Sequence, residues 1–289
     1  MYLINGTAIV ETVDVITPVV NDPFTFGAIS ANNSLSDIYA MGGRPVAALA
    51  IAGFPSCDYA PAVLKEILRG AVHSLKKAGA ALMGGHSFED TELKFGLSVT
   101  GTISMGNVLK VSGAVDGDVI IITKPLGIGI LATALKGRKI TDDEMKPAIE
   151  WMLTLNDLAS ELAVKSGATA CTDITGFGLL GHAYNMVKNS CVDFIIEQNK
   201  VPVMDKVLHM IESGMVPEGA YNNLRFFQDK ADFTANIREE DRLLLSDPQT
   251  SGGLLITLKE DMVKIFKESG TFFSVVGRVV KGSGRISVK

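Results

Sequence analysis

The longest apolar run of this chain, Val46 to Phe54, holds no charged or polar side chain. It is too short to cross a bilayer, which takes ~20 residues as a helix. Protein must therefore cover it. Apolar residues at successive positions put hydrophobic surface on both faces of a strand, the pattern of a strand buried between layers. The punctuation around the run fixes its neighbours. Thr7 to Val20 is rich in Val, Ile and Thr and reads as a strand. Asp22-Pro23 is an N-cap followed by Pro at the first helical position, and that helix should run to about Met41 and stop at Gly42-Gly43. Pro61 to Ala78 is a second helix. Its Val63, Leu64, Ile67, Leu68, Ala71, Val72 and Leu75 fall on one face at helical spacing, and Gly79 suits its end. Ala80 to Met83 reads as a short strand running into a turn, Gly84-Gly85-His86-Ser87, and Phe95 to Ile103 as another strand.

A second region opens at Asp116-Gly117-Asp118. The strand Val119 to Thr123 follows, then a tight turn, Lys124-Pro125-Leu126-Gly127-Ile128-Gly129, into a helix. Helices are expected at 142–165 and 179–189, with a strand at 168–172 between them. Ser246 to Gly253 should be a turn leading into a strand over Leu254 to Leu258. Strands and helices mix throughout, many strands read as hairpin-like, and the fold class is α+β in two domains, 1–110 and 111–289.

Composition narrows the function classes. Of the 289 residues, 47% are hydrophobic and 20% charged, which suits a compact globular chain. The formal charge is −5 with no basic patch, which argues against sequence-independent nucleic-acid binding. No membrane span is expected. The N-terminus lacks a basic leader, and Glu11 and Asp14 follow soon. Cys57, Cys171 and Cys191 are odd in number and widely spaced, so neither a disulfide framework nor a CxxC metal site is expected and a reducing cytoplasm is the default.

The candidate chemistry lies in carboxylates beside glycines. Asp14 sits among β-branched residues, where an ionised carboxylate is costly unless paired or bound to metal; the other reading is that alternation turns it to solvent. Asn33 and Asp37 lie four apart and share a helical face, able to bind Mg²⁺ or else forming a polar surface stripe. Asp173 ends a strand and precedes Gly176, Gly178 and Gly181. Carboxylates at such turns hold metal and phosphate, and the bare backbone and helix N-terminus favour an anion; the plainer reading is an N-cap with glycines needed for packing. Gly84-Gly85-His86-Ser87 offers N–H groups, a hydroxyl and an imidazole. Gly127-x-Gly129 lacks the dinucleotide-fingerprint spacing, and no Walker A sequence occurs. His182 is expected to be packed or hydrogen-bonded, Cys171 a small core residue, and 247–253 a structural turn bordering the site.

Taken together, Thr12 to Pro18, Asn33 to Gly43, Gly84 to Ser87, Thr123 to Gly127, Thr172 to His182 and Ser246 to Gly253 resemble the selenophosphate synthetase (selenide, water dikinase) family, in the family's order. The resemblance implies an aminoimidazole ribonucleotide synthetase-like fold. Its N-terminal domain pairs with a twin to close a β-barrel across a homodimer, and ATP binds with Mg²⁺ in the cleft between domains. By motif match Asp14 contacts ATP, Asp37 binds Mg²⁺ and ATP, Gly85, His86 and Ser87 line the nucleotide, and Asp173 is a Mg²⁺ ligand. The implied reaction is ATP + selenide + water → selenophosphate + AMP + phosphate. The alternatives are another ATP-dependent small-metabolite kinase or ligase of the same superfamily, and a non-catalytic nucleotide-binding dimer.

The family also carries a glycine-rich segment with a reactive Cys or selenocysteine, a Lys and an Asp-Asp pair. None of these has a counterpart here, and Cys57, Cys171 and Cys191 lack the nucleophile's context. No catalytic nucleophile is therefore expected within residues 1–289. The Cys or selenocysteine, encoded by an in-frame UGA or Cys codon, and the Lys are expected upstream of Met1, the alternative being a truly shortened paralogue. The chain by itself is expected to bind nucleotide weakly without completing the transfer.

Overall fold

The computed structural model describes residues 1–4 and 7–289. They form two compact units. One comprises Met1–Val108 with Ile149–Asp157, and the other Leu109–Ala148 with Leu158–Lys289. Among the described residues no helix is long and apolar enough to cross a membrane.

The first unit contains β1 (Tyr2–Ile4), β2 (Thr7–Ile16), α1 (Pro23–Ala40), β3 (Arg44–Phe54), α2 (Pro61–Lys77), β4 (Ala81–Glu89) and β5 (Lys94–Ile103). The strands form one sheet in the order β1-β2-β5-β3-β4. Helix α1 starts where the sequence predicts. Asp22 Oδ2 accepts from the Thr25 N–H at 2.7 Å, and Pro23 occupies the first turn. It ends at Met41, and Gly42 takes φ +77°. Phe26, Leu35 and Ile38 of α1 are buried, as are Phe95, Leu97 and Val99 of β5. Helices α1 and α2 cross backbone to backbone. A Cβ on Gly27 would lie 1.9 Å from Ile67 O, and one on Gly70 1.9 Å from Phe24 O.

Three expectations change here. Val46–Phe54 is not covered on both faces. Ala48, Ala50, Ala52 and Phe54 are buried, but Val46 and Leu49 are exposed. The helices cover one face of the sheet, and the other carries exposed Val13, Val15 and Leu49 beside Glu11, Ser98 and Thr100. Gly84 to Ser87 is no turn but the middle of β4, which runs parallel to β3 with α2 as the crossover. Nor are hairpins common, because among the described residues only β1 and β2 are both consecutive and antiparallel neighbours.

The second unit holds β6 (Asp118–Ile122), α3 (Ile128–Lys136), the start of α4 (Asp142–Leu153), α5 (Asp157–Lys165), β7 (Ala170–Asp173), α6 (Gly178–Val187), β8 (Val192–Ile196), α7 (Val207–Glu212), α8 (Glu218–Phe227), β9 (Ala231–Phe233), α9 (Glu239–Leu245), β10 (Leu254–Lys259), α10 (Val263–Ser269), β11 (Ser274–Lys281) and β12 (Ile286–Val288). Its sheet has the order β7-β10-β6-β11-β8-β12-β9. The single helix expected over 142–165 is two, α4 and α5. The Thr154 hydroxyl donates back to Glu150 O at 2.8 Å, the Asn32 amide donates to Met152 O at 3.2 Å, and the Asn156 amide donates to Ser36 Oγ at 2.9 Å. Short polar side chains that satisfy backbone groups end helices. The Asn32 and Asn156 bonds hold Ile149–Asp157 to α1 within the first unit.

Candidate functional site

Strand β2 alternates. Val13 and Val15 are exposed on one face, whereas Thr12 and Asp14 are half-buried on the face turned to α1. Asn33 Nδ2 donates to Asp14 Oδ2 at 3.0 Å, and Thr12 Oγ1 donates to Asp37 Oδ2 at 2.5 Å. Asn33 and Asp37 stand one turn apart on α1, so the helix presents both to the strand. Ser34 adds a backbone tie. Its hydroxyl donates to Asp14 O at 3.3 Å and accepts the Leu97 N–H at 3.2 Å. The strands approach so closely that a Cβ on Gly96 would sit 1.8 Å from Asp14 O. Asp14 is thus not turned to solvent with its odd-numbered neighbours. Asn33 is buried, so the Asn33/Asp37 face is not a solvated stripe.

The register extends this row across the sheet. Asp14 lies opposite Leu97, Leu97 opposite Ala50, and Ala50 opposite Gly85. Directly opposed residues share a face. Ser87 stands in the next row on that side, with Ile16, Phe95 and Ala52. His86 stands in the intervening row with Val15, Gly96 and Ile51, on the opposite face. The register alternates along Gly85, His86 and Ser87, and the three still border one space. Leu64, Leu68, Gly85, His86 and Ser87 all line an open groove of about 450 Å³. Gly85 has to be glycine, since a Cβ there would lie 2.1 Å from Ala50 O.

Asp173 ends β7 opposite Leu254 of β10 and is buried. After it the backbone turns through Thr175 and the exposed Gly176 and Phe177 into α6. The His182 ring accepts the Thr175 N–H on Nε2 at 3.1 Å, the hydrogen-bonded role expected from sequence. Cys171 is fully buried, and burial together with the nearby Asp173 charge pushes its thiol pKa up, so it is an inert core residue.

The segment 246–253 is more than a bordering turn, because Ser246, Asp247, Gln249 and Ser251 are all buried. Gln249 Oε1 accepts the N–H groups of Gly127 and Ile128 at 3.2 and 3.3 Å, where α3 begins. Its Nε2 donates to Asp247 Oδ2 at 2.7 Å, and the Gly129 N–H donates to the same oxygen at 3.1 Å. Burial pushes the Asp247 carboxyl up to about 7, against the pull of those donors. Buried Lys124 donates from Nζ to Ser251 O at 2.8 Å. Sequence reasoning gave no role to Thr12 or Gln249. The first could have been found by its parity with Asp14 along β2. The second carries no local signal, because the N–H groups its side-chain oxygen accepts, Gly127 and Ile128, lie over a hundred residues away in sequence.

Among the described residues no three His, Cys, Asp or Glu side chains cluster as a metal site. The Asp14, Asn33 and Asp37 group offers oxygen from two carboxylates and one amide. That donor chemistry fits a hard cation such as Mg²⁺, which takes one or two carboxylates and completes its shell with phosphate and water.

Two domain models of the AIR synthase related proteins match this chain, the N-terminal domain over residues 1–103 and the C-terminal domain over residues 115–289. A two-domain AIR synthase related protein is the class that the two α+β units define. Selenide, water dikinase of Citrifermentans bemidjiense is 48% identical over 281 residues, 96% of this chain and 81% of that protein. That of Clostridioides difficile is 44% identical over 295 residues, covering 100% and 84%. The chain belongs to the selenide, water dikinase family. Thiamine-monophosphate kinase from Stenotrophomonas maltophilia shares the fold, with a TM-score of 0.76 at 18% identity over 99% of this chain and 86% of that one.

Proposed function

We propose that this chain carries the nucleotide-handling core of a selenide-phosphorylating enzyme, with the overall reaction ATP + selenide + water → selenophosphate + AMP + phosphate. The observation that carries the reading is the convergence of Thr12, Asp14, Asn33 and Asp37 on one face of the first unit, in a chain 48% identical to a selenide, water dikinase. Asp14 contacts ATP, and Asp37 binds Mg²⁺ and ATP. Gly85, His86 and Ser87, which border one groove, line the nucleotide. Asp173 is a Mg²⁺ ligand. Bound Mg²⁺ supplies charge neutralisation for the phosphate oxygens during transfer. The protein's own part is positioning. Asn33 and Thr12 fix the two carboxylates by hydrogen bonds, and rigid β2 and α1 hold them in place.

The exposed apolar face of the first sheet supports a homodimer closing a barrel. Val13 and Leu49 both lie opposite Ser98 and are exposed, and Val15 of the same strand side is exposed as well. The same reading puts the enzyme in the cytoplasm.

The test follows AMP, ADP and phosphate in the presence of ATP, Mg²⁺ and selenide. Since the family resemblance puts the reactive Cys or selenocysteine and its Lys outside residues 1–289, it is run on this chain and on a form extended by that segment. Selenide-dependent AMP release supports the reading. ADP as the end product points to another kinase of the superfamily, and nucleotide binding without turnover in both forms points to a binding protein. In calorimetry, Asp37→Asn and Asp173→Asn should each weaken Mg²⁺-dependent ATP binding with little change in melting temperature. Unaltered metal dependence in both would sink the ligand assignment.

A further inference from the structure

We propose that His182 and Gln249 are positioning residues that fix the peptide units following Asp173. The inference deepens the proposed function and rests on its reading of Asp173 as a Mg²⁺ ligand.

The turn after Asp173 is held at every peptide. The Ile174 N–H donates to Gly253 O at 2.9 Å. Thr175 is gripped from two sides. Its N–H donates to His182 Nε2 at 3.1 Å, and its carbonyl accepts the backbone N–H of Gln249 at 3.0 Å. The His182 nitrogen also lies 3.3 Å from the Thr175 hydroxyl. His182 comes from α6, one helical turn past the loop, and its ring packs against Phe177 with centroids 5.9 Å apart.

Gln249 is itself immobilised. Both ends of its amide are used, by the Gly127 and Ile128 N–H groups on one side and by Asp247 O and Oδ2 on the other. The backbone leaves no slack around this network. A Cβ on Gly178 would lie 2.7 Å from Ser246 C, one on Gly252 2.1 Å from Ile174 O, and one on Gly129 2.5 Å from Asp247 Oδ1. Gln249 thus transmits the position of the α3 N-terminus to Thr175.

A buried polar network of this kind is a costly way to gain stability, because apolar packing of equal volume does as well. What such a network adds, even with Asp247 Oδ1 left without a hydrogen-bond partner, is a preferred geometry. The tip of the turn, Gly176 and Phe177, is exposed while Asp173 and Ile174 beneath it are buried. Groups that hold a ligand's supporting atoms typically change metal affinity by about 10–100-fold when removed.

The experiment titrates Mg²⁺ into the chain with ATP, reads the half-saturating Mg²⁺ concentration by calorimetry, and records the melting temperature alongside. Four variants are compared with the parent: Asp173→Asn, His182→Leu, His182→Gln and Gln249→Met. The amide oxygen of His182→Gln can still accept the Thr175 N–H. We expect His182→Leu and Gln249→Met to raise the half-saturating concentration about tenfold or more. His182→Gln should return it to within about threefold of the parent. If Asp173→Asn raises the Mg²⁺ requirement while folded His182→Leu and Gln249→Met leave it unchanged, the positioning role is overturned and the ligand reading stands. An unchanged requirement in Asp173→Asn overturns both. Equal weakening in His182→Leu and His182→Gln, tracking only the loss of melting temperature, marks a structural histidine and also overturns the proposal. Should His182→Leu fail to fold, His182→Gln against Gln249→Asn gives the same decision.

Discussion

The Thr12 hydroxyl donates to Asp37 Oδ2 across 2.5 Å, joining an inward position of β2 to a half-buried carboxylate on an otherwise buried stretch of α1. A hydrogen bond to a charged group contributes about 1.5–3 kcal/mol. Thr12→Val keeps the shape and removes the donor. We expect the Mg²⁺-ATP dissociation constant, read by calorimetry, to rise roughly three- to tenfold with the melting temperature changed by only a few degrees. An unchanged constant would remove Thr12 from the site.

The crossing of α1 and α2 is set by Gly27 and Gly70, each within 1.9 Å of the other helix's backbone oxygen if it carried a Cβ. Neither oxygen is the end of a flexible side chain, so the helices themselves would have to part. Gly70→Ala should destabilise the fold by about 1–3 kcal/mol or more, despite the better helix propensity of Ala. Urea denaturation measures this, and a stabilised variant would contradict the crossing geometry.

Asp247 has a folded-state pKa of about 7, above its usual 3.8, because burial disfavours the charged form. The raised value means the folded chain holds a proton that the unfolded chain has released. That contribution to stability is fully present below pH ~4 and is lost as pH rises through ~7. Asp247→Asn removes the dependence. The melting temperature of the parent relative to this variant should therefore be higher at pH 5 than at pH 8. A difference independent of pH would show that Asp247 is ionised throughout.

Val13 and Leu49 flank Ser98 on the open face of the first sheet. A buried charge without a partner is strongly unfavourable. Leu49→Asp should shift sedimentation equilibrium from dimer towards monomer while leaving far-ultraviolet circular dichroism unchanged. A monomeric parent, or a dimer that tolerates the charge, would exclude this face as the interface.

The legible parts of the fold were those written in local chemistry. Asp22-Pro23 and Gly42 bound α1 because capping and positive φ depend on the residues themselves. The Asn33/Asp37 pair followed from helical spacing. Gly84-Gly85 misled, because glycines that punctuate a turn also serve where strands approach closely, and only the partner strand distinguishes the two. Val46 and Leu49 misled because apolar composition reports that a surface needs cover and not what covers it. The Gln249 network and the order of the seven-stranded sheet were illegible because their contacts join distant parts of the chain.

The return of Ile149–Asp157 to the first unit has a consequence for anyone dividing this gene. The polypeptide passes from one unit to the other at three points, so no single cut yields two self-sufficient halves. A fragment ending at Val108 would leave the buried Asn32 and Ser36 of α1 stripped of Met152 and Asn156. Recombination between relatives at that junction would pair the helix of one parent with the clasp of another.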